Sequence, residues 1–304
     1  MPDLFNKKIT VEYSSMCLNE DNYLSKISEA KKIAELAGFN FGIQIHNSIT
    51  KNLYDKLLEL KNHIRFTVHS PVLAEYFFNL AHPDFENIKK QSANAVNHLK
   101  IFDTNIFFSH GFFMTDRLIP HDMANYRKIL RANIPEKYCL DKSFIMNPSF
   151  FETEEFEYYK NIFKRNYLFL RNCYPDYIIC FENDFVGVGS GLQRPIEIFE
   201  LIDNLWLDTG HLWCSSLIHN FNFYEICEEI IEKKKIFGVH LNHNLMTEVT
   251  EKTKIRDSHS HLYNECSQNL KPIVRKLKEK GLNLFTLEIE NGDIEDLKIL
   301  IDWF

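Results

Sequence analysis

The sequence contains few residues that break regular structure: 10 glycines and 9 prolines stand among 304 residues. Disordered and low-complexity chains are rich in such residues, so we expect no segments of that kind. The first residues lack the basic and apolar pattern of a signal peptide, and no apolar run approaches the length of a membrane span. These absences predict a folded, cytoplasmic protein with no membrane partner.

Paired cysteines are also absent. The seven cysteines are an odd number and none belongs to a C-x-x-C motif, which argues against a disulfide framework or a thiolate zinc site. The formal net charge is -7, so the chain has no excess of basic residues. This argues weakly against a broad electrostatic surface for nucleic acid, although it is compatible with a local basic rim.

What the sequence does contain is a regular alternation of short apolar runs with segments of helical periodicity. Such short runs are typical of buried strands. The predicted strands span residues 9–14, 41–46, 65–69, 105–110, 177–182, 205–208, 236–241 and 284–288. Eight strands alternating with helices predict an α/β protein with a single (β/α)8 barrel domain over 1–304.

The connection between the fourth and fifth predicted strands is long and aromatic. It covers about residues 111–176, with helices expected near 121–131 and 154–171. We expect this connection to form a lid or a wall that faces the substrate. Phe112, Phe113 and Trp213 would suit the face of a sugar, and they would suit core packing equally well.

Candidate ligands stand at or next to the ends of six of the eight predicted strands. The carboxyl ends of the strands form the functional face of such barrels. Buried carboxylates need positive partners, and no Lys or Arg stands at a matching strand end. A divalent metal would supply that charge, with imidazoles completing its coordination. The strand-end residues are His69, His110, Glu182, Asp208, His240 and Glu288.

Two further segments offer ligands. His211 follows Asp208 by three residues, although Asp208 could instead cap a helix and leave His211 in a loop. After the seventh strand, Asp257 and His259 form an Asp-x-His pair that would lie on one side of an extended segment; the alternative is a solvated polar loop. Two further histidines, His243 and His261, are spare candidate ligands, and spacing along the sequence does not rank them.

The six strand-end residues, together with His211, Asp257 and His259, make nine candidate ligands. One zinc ion uses only about three or four protein ligands. The set could therefore hold about two or three metal ions with a bridging carboxylate. Such a centre suits in-line attack on a phosphodiester, because one ion activates water while another stabilises the leaving oxygen.

The pattern resembles the endonuclease IV branch (apurinic/apyrimidinic endonuclease family 2) of the xylose-isomerase-like barrel superfamily. The matching motifs follow the family's order. They are V-H-S-P at 68–71, N-L-A-H-P at 79–83, S-H-G at 109–111, F-E-N at 181–183, L-D-T-G-H at 207–211, V-H-L-N at 239–242, D-S-H at 257–259 and L-E at 287–288. The resemblance implies a xylose-isomerase-like TIM barrel that hydrolyses a phosphodiester, with abasic-site DNA as the partner.

The resemblance also implies a trinuclear zinc centre. The first ion would be held by His69, His110 and Glu182, the second by Asp208, His240 and Glu288 with Glu182 bridging, and the third by His211, Asp257 and His259. The catalytic residues would be Glu182 and Glu288, either of which would orient a hydroxide for attack on phosphorus. The family's DNA-inserting tyrosine is replaced by Pro71 and Val72, so the resemblance bears on the chemistry more than on the substrate.

Two other functions remain open. Sugar or sugar-phosphate isomerases and epimerases of the same superfamily resemble the chain at Glu182, Asp208, His240 and Glu288. In these enzymes one divalent metal, with manganese as a candidate, lies beside two glutamates that move protons next to a carbonyl. They do not need the Asp-x-His pair, which therefore favours the phosphodiesterase. A barrel without catalysis is disfavoured, because buried carboxylates without a metal are costly.

Overall fold

The strands close into a barrel in which all neighbouring pairs are parallel. The computed structural model describes residues 8–304, so residues 1–7 of the predicted 1–304 domain lie outside the described residues. Strand order in the sheet follows chain order, and the first strand pairs with the eighth to close the barrel. The predicted (β/α)8 barrel is therefore confirmed.

The strands are short, and helices surround them. The strands are β1 (Thr10–Ser14), β2 (Asn40–Ile45), β3 (Arg65–Ser70), β4 (Ile106–Ser109), β5 (Ile178–Glu182), β6 (Asn204–Asp208), β7 (Lys235–Leu241) and β8 (Leu284–Leu287). The helices are α1 (Tyr23–Leu36), α2 (Lys51–Leu58), α3 (Phe85–Ile101), α4 (Tyr126–Asn133), α5 (Glu154–Cys173), α6 (Pro195–Leu201), α7 (Thr209–His219), α8 (Phe223–Lys233), α9 (Lys271–Glu279) and α10 (Ile294–Trp303). None of the helices within residues 8–304 has both the length and the apolar character that crossing a bilayer requires.

Each observed strand begins and ends within one residue of its prediction, whereas the helices differ more. The sequence analysis offers α7 only as the helix that Asp208 could cap, with no bounds, because nearly all of its residues are buried and no polar face reveals a helical period. The helix expected at 121–131 begins only at Tyr126, after a 3-10 turn that the Asp122 side chain caps.

The two faces of the strands differ in chemistry. The faces toward the helices belong to a large apolar core. Inside the barrel one side is apolar, where Phe108 stacks on Trp206 with ring centroids 3.8 Å apart. Gly238 makes room for that indole, since a Cβ there would lie 2.4 Å from its ring. The opposite side of the interior is polar and fully buried, and its residues are Glu12, Gln44, Thr67 and Thr286.

The aromatic connection is packed as a wall against the loop that follows β5. It contains α4, α5 and four 3-10 turns. Met114 N donates to Gly189 O at 2.8 Å, and two isolated bridges, Phe113 with Ser190 and Ile145 with Gly187, extend the contact. These bonds fix the connection in place, which favours the wall over the lid.

Candidate metal centre

All nine predicted ligands lie at the carboxyl-terminal mouth of the barrel or in the elements that cover it. Glu182 and Asp208 end β5 and β6, and His110 and Glu288 directly follow β4 and β8. Because parallel strands end at one rim, side chains that are distant in the sequence meet there.

The ligand atoms form three overlapping groups, and within each group all of them lie within 4.8 Å of one another. The groups are His69 with His110 and Glu182, then Glu182 with Asp208, His240 and Glu288, and finally Asp208 with His211 and Asp257. The first two coincide with the sets that the resemblance implies. The third differs, because Asp208 stands where His259 was expected. Glu182 and Asp208 are therefore the carboxylates that join neighbouring groups.

Glu182 occupies the middle of the cluster and is fully buried. Its Oε2 lies 2.9 Å from His69 Nε2 and 3.7 Å from His110 Nε2, whereas its Oε1 lies 3.0 Å from His240 Nδ1. Burial by itself would raise the pKa of Glu182, but the charges of His240 and His110 outweigh it and hold that pKa well below its usual range. The two oxygens of an ionised Glu182 thus face two different groups.

Asp208 caps a helix and also lies among the candidate ligands, two possibilities that the sequence left as alternatives. Its Oδ1 accepts a hydrogen bond from His211 N at 2.6 Å and caps α7, while its Oδ2 is buried in the cluster without a hydrogen-bond partner. The cap prediction is therefore confirmed for Asp208. The expectation that His211 would then lie in a loop is wrong, because His211 is in the first turn of α7.

The Asp-x-His pair reaches the cluster from the loop after β7. Asp257 Oδ2 lies 3.3 Å from His211 Nε2 and 3.6 Å from His259 Nε2. The expected extended conformation is wrong: His259 has a left-handed φ of 38°, and its N donates to Asp257 Oδ1 at 3.3 Å. Gly210 permits the approach, since a Cβ there would lie 2.9 Å from Asp257 Oδ1. A turn, rather than strand alternation, brings the two side chains together.

Three of the histidines are oriented through their second ring nitrogen. In each of them Nδ1–H donates to an oxygen, which leaves Nε2 facing the carboxylates. The bonds run from His110 to Asp184 Oδ1 at 3.1 Å, from His211 to Asn183 O at 3.0 Å and from His259 to Glu288 O at 3.0 Å. Histidines that bind metal commonly have this arrangement, because the bond fixes both the tautomer and the ring plane.

The residues fit a divalent metal on charge as well as on geometry. Four carboxylates lie in the cluster, and within residues 8–304 none of them pairs with a lysine or arginine. Burial raises the pKa of Asp208 to about 6, which reflects the cost of its charge there. Asp208 Oδ2, Asp257 Oδ2 and His69 Nδ1 also lack hydrogen-bond partners. A cation would satisfy both the charges and the unpaired oxygens.

The structure adds neighbours that the sequence analysis missed. His46 directly follows β2, and its Nε2 lies 3.3 Å from Glu288 Oε1, so the strand-end rule applied to β2 would have found it. Asp184 follows Glu182 by two residues and orients His110. Gln44 lies within β2 and contacts His240, and its sequence context carries no signal for that contact.

Other candidates lie outside the cluster. His243 Nδ1 donates to Asn264 O at 3.0 Å, and His261 Nδ1 donates to Asp296 Oδ2 at 2.8 Å, so neither spare histidine joins the nine residues. Phe112 and Phe113 are buried, and Trp213 Nε1 donates to Met246 O at 2.8 Å. For these aromatic residues the structure supports core packing.

Comparison with known proteins identifies the fold. No protein-family model and no curated protein matches the sequence. Among solved structures, a D-tagatose 3-epimerase-like protein is 20% identical and covers 98% of this chain and 97% of its own, with a TM-score of 0.60. An AP endonuclease, family 2, from Brucella melitensis is 13% identical over 93% of both chains, with a TM-score of 0.55. A D-allulose 3-epimerase from Methylomonas sp. is 14% identical over 93% of this chain and 84% of its own, with a TM-score of 0.51.

At these identities the likeness shows the fold alone, which is the predicted (β/α)8 barrel. The similar structures bear the names of both an endonuclease and epimerases, so they do not separate the hydrolase from the isomerase. The choice between the two functions depends on the side chains of the site.

Proposed function

We propose that this chain is a metal-dependent hydrolase that cleaves a phosphodiester with a multinuclear zinc centre, and that DNA with an abasic site is its substrate. The proposal depends on one observation: the cluster extends beyond the set that a single ion needs. That set is Glu182, Asp208, His240 and Glu288. Further ligand-type side chains adjoin it on two sides, namely His69 and His110 on one and His211, Asp257 and His259 on the other.

The shared carboxylates support more than one ion. Glu182 directs Oε2 toward His69 and Oε1 toward His240, and these are the contacts expected of a bridging ligand. Asp208 belongs to two groups and has one oxygen free of hydrogen bonds. Ligand-type side chains on both sides of this pair exceed the number that a single ion needs.

Metals held by these residues would supply Lewis-acid activation of water and stabilisation of the charge that develops on the leaving oxygen. The chain itself provides an open edge, because the His110 and His259 side chains are 25% and 24% exposed while the Glu182 side chain is only 1% exposed. A phosphate group would enter at that edge. The deeper residues would exclude bulk water from the far side of the cluster.

Glu288, like Glu182, would orient the attacking hydroxide as an ionised carboxylate. Burial would raise the pKa of Glu288, but the charge and hydrogen bond of His240, together with His46, hold it well below its usual range. His46 Nδ1 accepts from Ser48 N at 3.2 Å, so its Nε2 carries hydrogen toward Glu288 Oε1. His46 would thereby steady the carboxylate in its ionised form.

The alternative is a sugar or sugar-phosphate isomerase or epimerase with one divalent ion, zinc or manganese. One observation favours it: Glu182 Oε1 and Glu288 Oε2 lie 3.0 and 3.1 Å from the same His240 Nδ1, so two glutamates flank one position. Such a pair could remove and return a proton beside a carbonyl. This chemistry gives no role to Asp257 or His259.

Metal content per chain, measured by elemental analysis, separates the two functions. We expect close to three zinc ions in the wild-type protein and fewer in Asp257→Asn, because the third group loses its central carboxylate. His243→Gln is the matched control, since His243 lies after β7 and outside every group of possible ligands. The wild-type protein and His243→Gln should cleave an abasic-site duplex, whereas Asp257→Asn should lose most of that activity.

A content near one ion that is unchanged in Asp257→Asn, together with interconversion of a ketose, would replace the hydrolase by the epimerase. A multinuclear centre that cleaves other phosphodiesters but not abasic DNA would retain the hydrolase and remove DNA as its substrate.

A further inference from the structure

A line of buried polar side chains crosses the barrel interior and ends at the metal cluster. Glu12 Oε2 lies 3.0 Å from Thr286 Oγ1, which lies 3.3 Å from Gln44 Nε2. Gln44 Oε1 in turn lies 2.9 Å from His240 Nε2. All four residues are fully buried, and they come from β1, β8, β2 and β7. None except His240 belongs to the ligand set.

The hydrogen bonds of this line have a defined direction. Glu12 Oε2 accepts from the Thr67 hydroxyl at 2.9 Å and from the Thr286 hydroxyl. Because the Thr286 hydrogen points to Glu12, the Thr286 oxygen is left to accept a hydrogen from Gln44 Nε2. The carboxylate therefore determines which end of the Gln44 amide faces Thr286. The other end, Oε1, faces His240.

The direction decides the tautomer of His240. An amide oxygen can only accept, so His240 Nε2 must carry hydrogen. Its Nδ1 is then the nitrogen available to a metal, and it faces Glu182 Oε1 at 3.0 Å, Glu288 Oε2 at 3.1 Å and Asp208 Oδ2 at 3.4 Å. If the Gln44 amide were reversed, Thr286 would donate to Gln44 and Glu12 would lose one of its two hydroxyl donors.

We propose that Gln44 is a positioning residue of the metal centre, and that Thr286 and Glu12 hold its amide so that His240 presents Nδ1 to the metal. The inference rests on the metal centre of the proposed function, but it holds for the hydrolase and for the epimerase alike. The bond from His240 Nε2–H fixes both the tautomer and the ring plane, as second partners of metal-binding histidines commonly do.

Two threonines provide a matched test. Thr67 and Thr286 both donate to Glu12 Oε2, and Thr67 is the β3 partner of Gln44, but of the two only the Thr286 hydroxyl accepts a hydrogen bond from the Gln44 side chain. We expect Thr286→Val to weaken Zn²⁺ binding about tenfold, in the range found for such outer partners, and Thr67→Val to leave it nearly unchanged. Zn²⁺ affinity is measured on the metal-stripped protein by competition with a chelator. Thr286→Ser keeps the hydroxyl and should restore the wild-type affinity.

Two substitutions of Gln44 test whether its side chain acts as the hydrogen-bond acceptor for His240. Gln44→Leu removes the acceptor at nearly constant volume and should weaken Zn²⁺ binding roughly 10- to 100-fold. Gln44→Glu, when ionised, keeps an oxygen that accepts from His240 Nε2–H, and it should bind Zn²⁺ more tightly than Gln44→Leu does. In ¹⁵N-detected spectra of the zinc-loaded wild-type protein, His240 should show hydrogen on Nε2.

Equal loss of affinity in Thr286→Val and Thr67→Val, or no loss in Gln44→Leu, would overturn the inference. In another outcome the wild-type protein binds zinc but cleaves no phosphodiester, and Thr286→Val loses zinc affinity while Thr67→Val does not. This would contradict the proposed hydrolase and support the role of Gln44. A wild-type protein that binds no metal would overturn both.

Discussion

His219, at the end of α7, is a half-buried histidine that takes no part in the cluster. Its Nε2 lies 3.3 Å from Gln193 Oε1, and its ring stands edge-on to Phe151. Burial lowers the pKa of His219 from 6.5 to about 3, and the charges of Arg194 and Lys252 add to the shift. As the pH falls, the unfolded chain therefore takes up a proton before the folded one does. The contribution of His219 to stability is complete above about pH 6.5 and is lost between there and about pH 3.

We expect His219→Gln to reduce the acid sensitivity of the fold. Between pH 7 and pH 5, the free energy of unfolding of the wild-type protein should fall by about 2 kcal/mol more than that of the variant. Urea unfolding with a chelator present measures the difference without interference from metal binding. An identical fall in both proteins would show that His219 is protonated as easily in the fold as in the unfolded chain.

At the scale of elements, α7 shows how one carboxylate can serve a helix and a cluster together. Asp208 ends β6, caps α7 through Oδ1 and leaves Oδ2 to the ligand groups. The short path from strand to helix is what puts His211 on the same rim as Asp208. The helix is buried almost throughout, so its position is fixed by packing as well as by the cap.

Two substitutions of Asp208 should separate its two roles. Burial raises the pKa of the Asp208 carboxyl to about 6, so its negative charge destabilises the metal-free fold at pH 8. Asp208→Asn removes that charge and keeps an oxygen for the cap. The metal-free variant should therefore be at least as stable as the wild-type protein at pH 8. Asp208→Ala loses the same charge and the cap as well, so it should be about 1 kcal/mol less stable than Asp208→Asn. Both variants should bind zinc weakly. Urea unfolding measures the first effect and chelator competition the second; equal stability of the two variants would argue against the cap.

At the scale of the whole molecule, the cluster ties together almost the entire barrel. Its ligands extend from His69, near the end of β3, to Glu288, after β8. An ion held by side chains from such distant parts of the chain binds the folded state and has no comparable site in the unfolded state. Metal binding should therefore stabilise the barrel as one unit.

We expect zinc to raise the unfolding temperature of the chelator-treated protein while the transition remains single. At a free metal concentration of about 1,000 times Kd, the added stability is about 4 kcal/mol. Scanning calorimetry with and without Zn²⁺ measures it, and Asp208→Asn should show a much smaller shift. A second transition that appears only with metal would mean that the cluster stabilises part of the barrel.

The strand pattern was predictable because burial and alternation are local properties. His69, Glu182 and Asp208 could be selected from sequence because each stands at the end of an apolar run. The extent of α7 could not be predicted, since a helix buried on nearly all sides has no polar face. The turn at His259 also escaped prediction, because a left-handed φ at a histidine has no reliable sequence signal.

The sequence by itself determined the eight strands, the barrel and a set of nine candidate ligands. Each strand and the residue that ends it can be recognised from a pattern of a few consecutive residues. Only the tertiary structure decided how those ligands divide into groups, and that Asp208 joins two of them. It alone also placed Gln44 between Thr286 and His240. Local periodicity says which side chains point into a barrel. Which of them face one another across it depends on closure and register, and these are fixed only when all eight strands have paired.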